Sequence, residues 1–221
     1  MEAISLDTIT DTMIAFGAPK ANFEKRLTGL QSRYREPWRK YHVMEHPQEM
    51  FGELLQHIDQ VRNPLTIGEA ILYHDCVYDP AAPGNRNEQL SSWIGQDELE
   101  PIYGYSTAAK VGYYTTATAK HTANIDVSDR DLAFFLDTDL AILGADEERY
   151  NRYSNAIAEE YKDVVPPNVY ATRRSLVLQK LSTRVSDIGV YTTELFRAKY
   201  EYQAQENIAR EIDLLKQRPV A

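Results

Sequence analysis

The hydrophobic residues of this chain recur at helical spacing along most of its length. Apolar positions follow one another at intervals of three and four residues, whereas strict alternation rarely persists beyond four residues. Prolines and glycines, among them Gly17, Pro37 and Pro64, stand where this spacing is interrupted and predict helix ends. The pattern predicts helices over residues 4–17, 20–36, 46–61, 66–78, 87–98, 106–121, 129–143, 146–163, 167–184 and 189–216.

These elements predict an all-α protein. At 221 residues the chain can bury a sizeable core, and neither an internal repeat nor a low-complexity segment divides it. We therefore predict a single-domain helical bundle over residues 1–221, with its core at about 20–184. The last helical portion, 189–216, is rich in Arg, Lys and Glu at helical spacing, and we expect it to lie at the periphery of the bundle.

Two aspartates of the predicted helix 129–143 differ in their position relative to its apolar stripe. Asp139 falls on the stripe, whereas Asp137 is turned away from Asp139 by about 200°. A buried carboxylate is costly unless it is paired or binds a cation. We therefore expect Asp139 to face the interior as a ligand and Asp137 to lie off the buried face, with Ser128 as the N-cap of the helix.

Ligand-type side chains also stand on the apolar faces of two earlier helices. His46 extends the stripe of the helix 46–61 by one turn, and His74 with Asp75 lies on or beside the apolar face of the helix 66–78. Imidazole and carboxylate are the groups that borderline divalent metals prefer. Because three separate segments turn such groups inward, the sequence predicts a metal centre.

For each histidine alone, the more common interpretation is a hydrogen-bonded core residue. His57 keeps that interpretation because it lies about 16 Å along a helix from His46, too far to share an ion. Cys76, the single cysteine, is expected to be a small buried hydrophobe. The metal hypothesis therefore depends on the coincidence of several segments rather than on any one residue.

Composition narrows the range of partners. The net charge of −9 disfavours long nucleic acid, whose phosphates favour basic surfaces, but it does not exclude a small anionic substrate at a metal. The apolar stretches are shorter than a membrane span, and the first residues lack the basic start of a signal peptide. One cysteine cannot form an internal disulfide, which fits a reducing compartment. We expect a cytoplasmic protein with no membrane partner.

Read in order, the ligand-type residues form three short motifs: Tyr41-His42-x-x-x-His46, His74-Asp75 and Asp139. This order resembles the H…HD…D signature of the HD-domain superfamily of metal-dependent phosphohydrolases. A family of predicted HD-superfamily phosphohydrolases of about this length is more similar still, and the likeness extends from about residue 34 to 215. The further motifs that carry this likeness are Tyr73-His74-Asp75-Cys76-Val77-Tyr78-Asp79-Pro80, Asn87-Glu88, Asp137-Thr138-Asp139-Leu140-Ala141-Ile142-Leu143-Gly144 and Glu160-Tyr161.

The resemblance implies a metal site and an acid. It implies one or two divalent ions of Mn, Fe, Co, Ni or Zn, with Mg possible, and a catalytic role for Asp75 beside ligation. Cyclic-nucleotide phosphodiesterases, distant members, use Tyr-His-Asn-x-x-His, and the likeness implies that His42 protonates the leaving oxygen. Here Pro47 follows His46, so we expect the helix to begin near Val43 or Met44. The implied metal ligands are His46, His74, Asp75 and Asp139.

The implied substrate is a small phosphorylated metabolite or nucleotide, as a phosphomonoester or phosphodiester. His121 is a candidate for a second metal or for phosphate, and Glu88, Lys120 and Arg174 are candidates for substrate binding. Two alternatives remain open. One is a catalytically silent ligand-binding protein of the HD type, and the other is an HD-type di-iron oxygenase, for which the chain is short of histidines.

Overall fold

The computed structural model describes residues 3–121, 128–185 and 189–217. Within these ranges the chain forms α-helices joined by short turns and no β-strand, so the prediction of an all-α single-domain bundle is confirmed. Among the described residues, no helix has both the length and the apolar character needed to cross a membrane. The helices are α1 (Leu6–Ala15), α2 (Lys20–Arg33), α3 (Glu45–Gln56), α4 (Pro64–Tyr73), α5 (Arg86–Tyr103), α6 (Tyr105–Ala117), α7 (Arg130–Asp139), α8 (Glu147–Tyr161), α9 (Pro167–Ser182) and α10 (Glu194–Lys216).

Helix α4 ends earlier than the apolar pattern predicts. The pattern extends to residue 78, but the helix stops at Tyr73. The guanidinium group of Arg39 donates hydrogen bonds to the carbonyl oxygens of Asp75 and Cys76, at 2.8 and 3.2 Å. A continued helix would have used these carbonyls for its own ladder. The contact with Arg39 therefore favours the turn that carries His74 and Asp75 out of the helix.

The start of α7 also differs from the prediction. Its N-cap is Asp129 rather than Ser128, and the Asp129 carboxylate accepts hydrogen bonds from the backbone N–H groups of the first turn. Asp131, in the same first turn, has another role. Its carboxylate is buried and accepts hydrogen bonds from the backbone N–H groups of Arg62 and Asn63, each at 2.9 Å. Asp131 thereby holds the start of α4 against α7.

The expectation that Asp137 lies off the buried face is wrong. Asp137 is fully buried and forms an ion pair with Arg184 at 3.0 Å. Its carboxylate also accepts hydrogen bonds from the backbone N–H groups of Thr192 and Thr193, the latter at 2.7 Å. Residues 131–138 are all buried, so the apolar stripe of α7 does not separate a buried face from a face in solvent.

Helix α10 packs onto the short 3-10 helix that follows α7, Leu140–Gly144, and onto α9. Gly144 is in close contact with Tyr200, where an added Cβ would lie 2.7 Å from the Tyr200 backbone oxygen. The side chain of Asn207 donates hydrogen bonds to the carbonyl oxygens of Leu143 and Ala145. The helix expected at the periphery therefore contributes buried side chains to the core behind α7. These include Phe196, Tyr200, Ala204 and Ile208.

Candidate metal centre

Donor atoms from three segments meet beside the ends of α3, α4 and α7. The Nε2 atoms of His46 and His74 lie 3.1 Å apart, and Asp75 Oδ2 lies 3.1 Å from His74 Nε2. Asp139 Oδ1 lies 3.0 Å from His46 Nε2 and 3.5 Å from His74 Nε2. The donor atoms of His46, His74 and Asp75 all lie within 4.8 Å of one another, so this cluster could hold a metal ion.

The spacing of these donors fits a divalent ion. Ligand bonds of about 2.1 Å at octahedral or tetrahedral angles place neighbouring donors about 3.0–3.4 Å apart. The four contacts between neighbouring donors run from 3.0 to 3.5 Å. Two imidazoles and two carboxylates suit Mn, Fe, Co, Ni or Zn better than a dedicated Mg or Ca site.

Hydrogen bonds on the far side of each imidazole orient its ring. His74 Nδ1 lies 2.9 Å from the carbonyl oxygen of Ile71 and must donate its proton there. Nε2 is therefore the nitrogen of His74 directed at the centre, and it has a lone pair for an ion when the ring is neutral. His46 Nδ1 lies 3.0 Å from the Tyr41 hydroxyl, which can accept its proton in the same way. Such outer partners orient histidine ligands and make them more basic.

The two carboxylates of the centre are ionised. Burial raises the pKa of Asp139, but the charge of His74 and hydrogen bonds from His121 and His46 outweigh burial and hold it well below its ordinary value. The pKa of Asp75 is lowered in the same way, because the charge and the hydrogen bond of His74 outweigh burial. The ionised carboxylate is the form that binds a cation.

All four predicted ligands stand at helix ends. His46 lies in the first turn of α3, whose N-cap is Met44, so the predicted start near Val43 or Met44 is confirmed. Pro47 fits there because the N–H that proline lacks would have no partner in a first turn. His74 and Asp75 directly follow α4, and Asp139 is the last residue of α7.

Glu160 on α8 organises the loop before α3. Its Oε1 accepts hydrogen bonds from the backbone N–H groups of Lys40, Tyr41 and His42, at 2.7–3.0 Å. Its Oε2 lies 2.8 Å from His42 Nδ1 and accepts a hydrogen bond from the Tyr78 hydroxyl at 3.0 Å. Burial raises the pKa of Glu160, but the hydrogen bond with His42 outweighs it and the pKa falls to about 2.

Glu160 and Tyr78 together fix the imidazole of His42. The ring of His42 stacks on Tyr78 with centroids 3.9 Å apart, and its Nε2 lies 3.9 Å from Asp75 Oδ2. Burial lowers the pKa of His42, but the hydrogen bond and the charge of Glu160 outweigh burial and raise the pKa above its ordinary value. His42 is therefore an imidazole fixed at the edge of the centre, where its protonated form is favoured.

Arg39 joins the two loops that carry the site. Its guanidinium donates to the carbonyl oxygen of His42 at 3.0 Å and to that of Asp75 at 2.8 Å, and it also binds the carbonyl oxygen of Cys76. Its Nε donates to Glu36 at 2.9 Å. The side chain of Arg39 is fully buried, so these charge-assisted bonds are shielded from water and fix the spacing of the loops.

A cavity of about 480 Å³ opens beside the centre. His42, Asp75 and Asp139 lie on its wall, and so do several of the other predicted residues. His121 Nε2 is 2.7 Å from Asp139 Oδ2, which brings His121 to the centre. Glu88 also lines the cavity, and its pKa is raised by burial and by the charge of Asp75. Among the described residues, Glu88 Oε2 has no hydrogen-bond partner.

The two predicted cations are placed differently. Arg174 lines the cavity, but its guanidinium binds Glu211 at 2.9 Å and the Tyr153 hydroxyl at 3.1 Å. Lys120 is exposed and is not among the residues that line the cavity. His57 is half-buried, and its Nε2 lies 3.8 Å from Glu53 rather than near the centre.

Two residues that build the site could not be identified from the sequence. Glu160 stands out only as part of the Glu160-Tyr161 motif, and its partner His42 is 118 positions away in the chain. Arg39 carried no signal, because a lone arginine before a histidine motif is more typical of solvated surface. Only the folded structure brings each of them to its partners.

Cys76, which directly follows Asp75, does not contribute a ligand. Its Sγ is buried and lies 4.0 Å from the carbonyl oxygen of Ser91, to which the thiol donates. Burial raises the pKa of the Cys76 thiol to about 12. The thiol therefore stays protonated, as expected of a small buried hydrophobe.

Comparisons with protein-family models, with curated proteins and with solved structures find no match to this chain. The helical fold and the His46–His74–Asp75 cluster are compatible with an HD domain. The functional interpretation therefore depends on the geometry of the site and on the chemistry of its residues.

Proposed function

We propose that this protein is a metal-dependent phosphohydrolase of the HD type, acting on a phosphomonoester or phosphodiester of a small metabolite or nucleotide. One observation carries the proposal: the imidazole of His42 is held by Glu160 at the edge of a four-donor centre, and both face one cavity. A cation site and a fixed proton donor in one cavity are two groups that metal-dependent hydrolysis of a phosphate ester uses.

His46, His74, Asp75 and Asp139 would hold the ion. When bound, a divalent ion lowers the pKa of water and neutralises charge on the phosphoryl group. His42 gives its Nε2 proton to the leaving oxygen, and the Glu160 carboxylate keeps the ring protonated and in place. This role is typically worth about 10²–10⁴-fold in rate. Asp75 is close enough to His42, at 3.9 Å, to stabilise its protonated form as well.

The test combines elemental analysis of the purified protein with a phosphatase screen. Nucleotides, cyclic nucleotides, sugar phosphates and aryl phosphates are offered with Mn, Fe, Co, Ni or Zn supplied. We expect one or two ions per chain and metal-dependent hydrolysis, read as phosphate from a monoester or as nucleoside monophosphate from a cyclic nucleotide. His42→Ala should keep its metal and lose turnover, while His57→Ala should keep both. Metal-replete protein that hydrolyses no phosphate ester across the panel would contradict the proposal and favour a ligand-binding protein.

The contact between His121 and Asp139 supports a second candidate, an HD-type di-iron oxygenase. A Nε2 to Oδ2 distance of 2.7 Å brings a third histidine to the carboxylate that would be shared by two ions. Against it, the imidazole of His42 is bound to Glu160 and does not face the centre as a ligand. Two irons per chain with turnover that consumes oxygen would establish this candidate over the hydrolase.

A further inference from the structure

The wall of the cavity beside the centre combines two kinds of side chain. The ionisable groups of the site on this wall include His42, Asp75 and Asp139. Helices α8 and α9 and the turn between them contribute an apolar side, which is mostly aromatic and aliphatic. Its members include Tyr153, Ile157, Tyr161, Val165, Val177 and Leu181. Such a wall can hold a ligand with its charged group at the centre and an apolar group against α8 and α9.

The charges on the cavity wall limit the number of phosphates. Among the described lining residues the carboxylates are Asp75, Asp79, Glu88 and Asp139, whereas the arginines are Arg173 and Arg174. Arg174 is already bound to Glu211 and Tyr153, which leaves the exposed Arg173. One phosphate can be neutralised at the centre, but further phosphates would meet carboxylates or apolar side chains without enough cations to balance them.

We infer that the ligand carries a single phosphate on an aromatic or otherwise apolar organic group, and that sugar phosphates and nucleoside triphosphates are poor ligands. As a statement about a substrate, this inference rests on the proposed hydrolase function. In the reaction, the oxygen of water forms a bond to phosphorus and the ester P–O bond breaks. The released alcohol oxygen takes a proton from His42, and the second product is inorganic phosphate.

Binding tests the inference without turnover. Phenylphosphonate carries a phenyl group where methylphosphonate carries a methyl group, and neither compound has an ester bond to hydrolyse. Their affinities for Mn²⁺-loaded protein are measured by calorimetry. Burial of the ring against α8 and α9 should make phenylphosphonate bind at least about tenfold more tightly. Equal affinities would overturn the inference.

Two neighbouring residues of α9 give a matched pair of variants. Val177 is 39% exposed and lines the cavity, whereas Leu176 is 52% exposed and does not. Val177→Asp should remove the preference for phenylphosphonate, because it adds a carboxylate to the apolar side, and Leu176→Asp should keep it. Val177→Ser, which adds no charge, should weaken the preference if the aspartate variant does not fold. A preference unchanged in every folded Val177 variant would overturn the inference.

Turnover separates this inference from the proposed function. Benzyl phosphate and glycerol 3-phosphate both release an alkyl alcohol, so a difference in kcat/KM reports recognition. We expect kcat/KM for benzyl phosphate to exceed that for glycerol 3-phosphate and for ATP by about tenfold or more. Equal values for all three would support the hydrolase and overturn the inference. Tight binding of phenylphosphonate without hydrolysis of benzyl phosphate would support the ligand class and contradict the hydrolase.

Discussion

Two aspartates two positions apart on α7 have different partners. Asp139 stands at the end of the helix among His46, His74 and His121, whereas Asp137 is sealed in the core with Arg184. The same residue type is therefore a donor of the candidate metal centre in one case and a member of a buried ion pair in the other. Residue type and charge do not distinguish the two roles, whereas the partners of each carboxylate do.

Alanine at each of these positions should have a different consequence. Asp139→Ala should lose the metal, because it removes a donor from the centre. Asp137→Ala should keep the metal but lower the free energy of unfolding by about 3–5 kcal/mol, because the buried charge of Arg184 loses its partner. Elemental analysis and urea unfolding measure the two effects. Equal loss of metal in both variants would refute this division of roles.

In the proposed hydrolase, Glu160 acts through His42. In Glu160→Gln the metal should stay, while kcat falls and the loss of activity at high pH begins at a lower pH. The sign follows because a general acid works only when protonated, and the charge of Glu160 raises the pKa of His42. Glu159→Gln, at the exposed neighbouring position, is the control. If Glu160→Gln loses activity at the same high pH as the original protein, this role of Glu160 is excluded.

At the scale of elements, Arg39 connects the loop before α3 to the turn after α4. Arg39→Lys keeps the charge but loses the planar fork that reaches the carbonyl oxygens of both His42 and Asp75. We expect metal affinity to fall by about 10–100-fold, as for other outer partners of metal ligands. Arg35→Lys, at an exposed position nearby, should leave the affinity unchanged. Unchanged affinity in Arg39→Lys, measured by metal titration, would count against this role.

Helices α8, α9 and α10 are joined by a buried ionic contact. Arg174 and the Tyr150 hydroxyl both donate to Glu211, and the charge of Arg174 lowers the pKa of Glu211 although burial raises it. Because the folded pKa is the lower one, the contact stabilises the protein above the unfolded pKa of about 4.3. That contribution is lost as pH falls through the folded pKa.

Glu211→Gln should therefore flatten the acid side of the stability profile. The free energy of unfolding, measured by urea at a series of pH values from neutral to acidic, should depend less on pH than in the original protein. Glu206→Gln, on the same helix at an exposed position, is the comparison variant. If the free energy of unfolding of Glu211→Gln falls with acidification as steeply as that of the original protein, other groups control acid unfolding.

The helices themselves could be predicted, because apolar spacing reports which face is buried. Their ends could not be predicted from that spacing. The end of α4 depends on Arg39 taking the carbonyl oxygens of Asp75 and Cys76, and the start of α7 depends on Asp129. Such contacts join residues far apart in the chain or choose between adjacent caps, and local periodicity contains neither kind of information.

At the scale of the whole molecule, the centre links α3, α4 and α7, so metal should stabilise the fold. At a free metal concentration about 100 times Kd, binding contributes about 2.7 kcal/mol. For a chain of this size that corresponds to a rise of about 5–10 °C in Tm. Thermal unfolding with Mn²⁺ or with a chelator measures the shift, and Asp139→Ala is the control without a complete centre. The same Tm under both conditions would contradict a centre that links these helices.

The convergence of the four donors was predictable, because imidazoles and carboxylates on apolar faces are costly unless they have partners. His46, His74, Asp75 and Asp139 were expected together, and their donor atoms meet in the structure. The supporting groups were not predictable as such, since Glu160 and Arg39 act through backbone atoms of distant segments. The composition of the cavity wall also required the fold, which brings residues of α8 and α9 to the cavity beside the centre.

The state of Cys76 has a practical consequence. Its thiol is enclosed in the core beside the centre and stays protonated at neutral pH. Alkylating reagents attack thiolates, so they can modify this residue only in molecules that have opened. Labelling of this single cysteine therefore reports opening of the structure around it. Its labelling rate, with and without a bound ion, would time how often the centre comes apart, and no probe would have to be introduced.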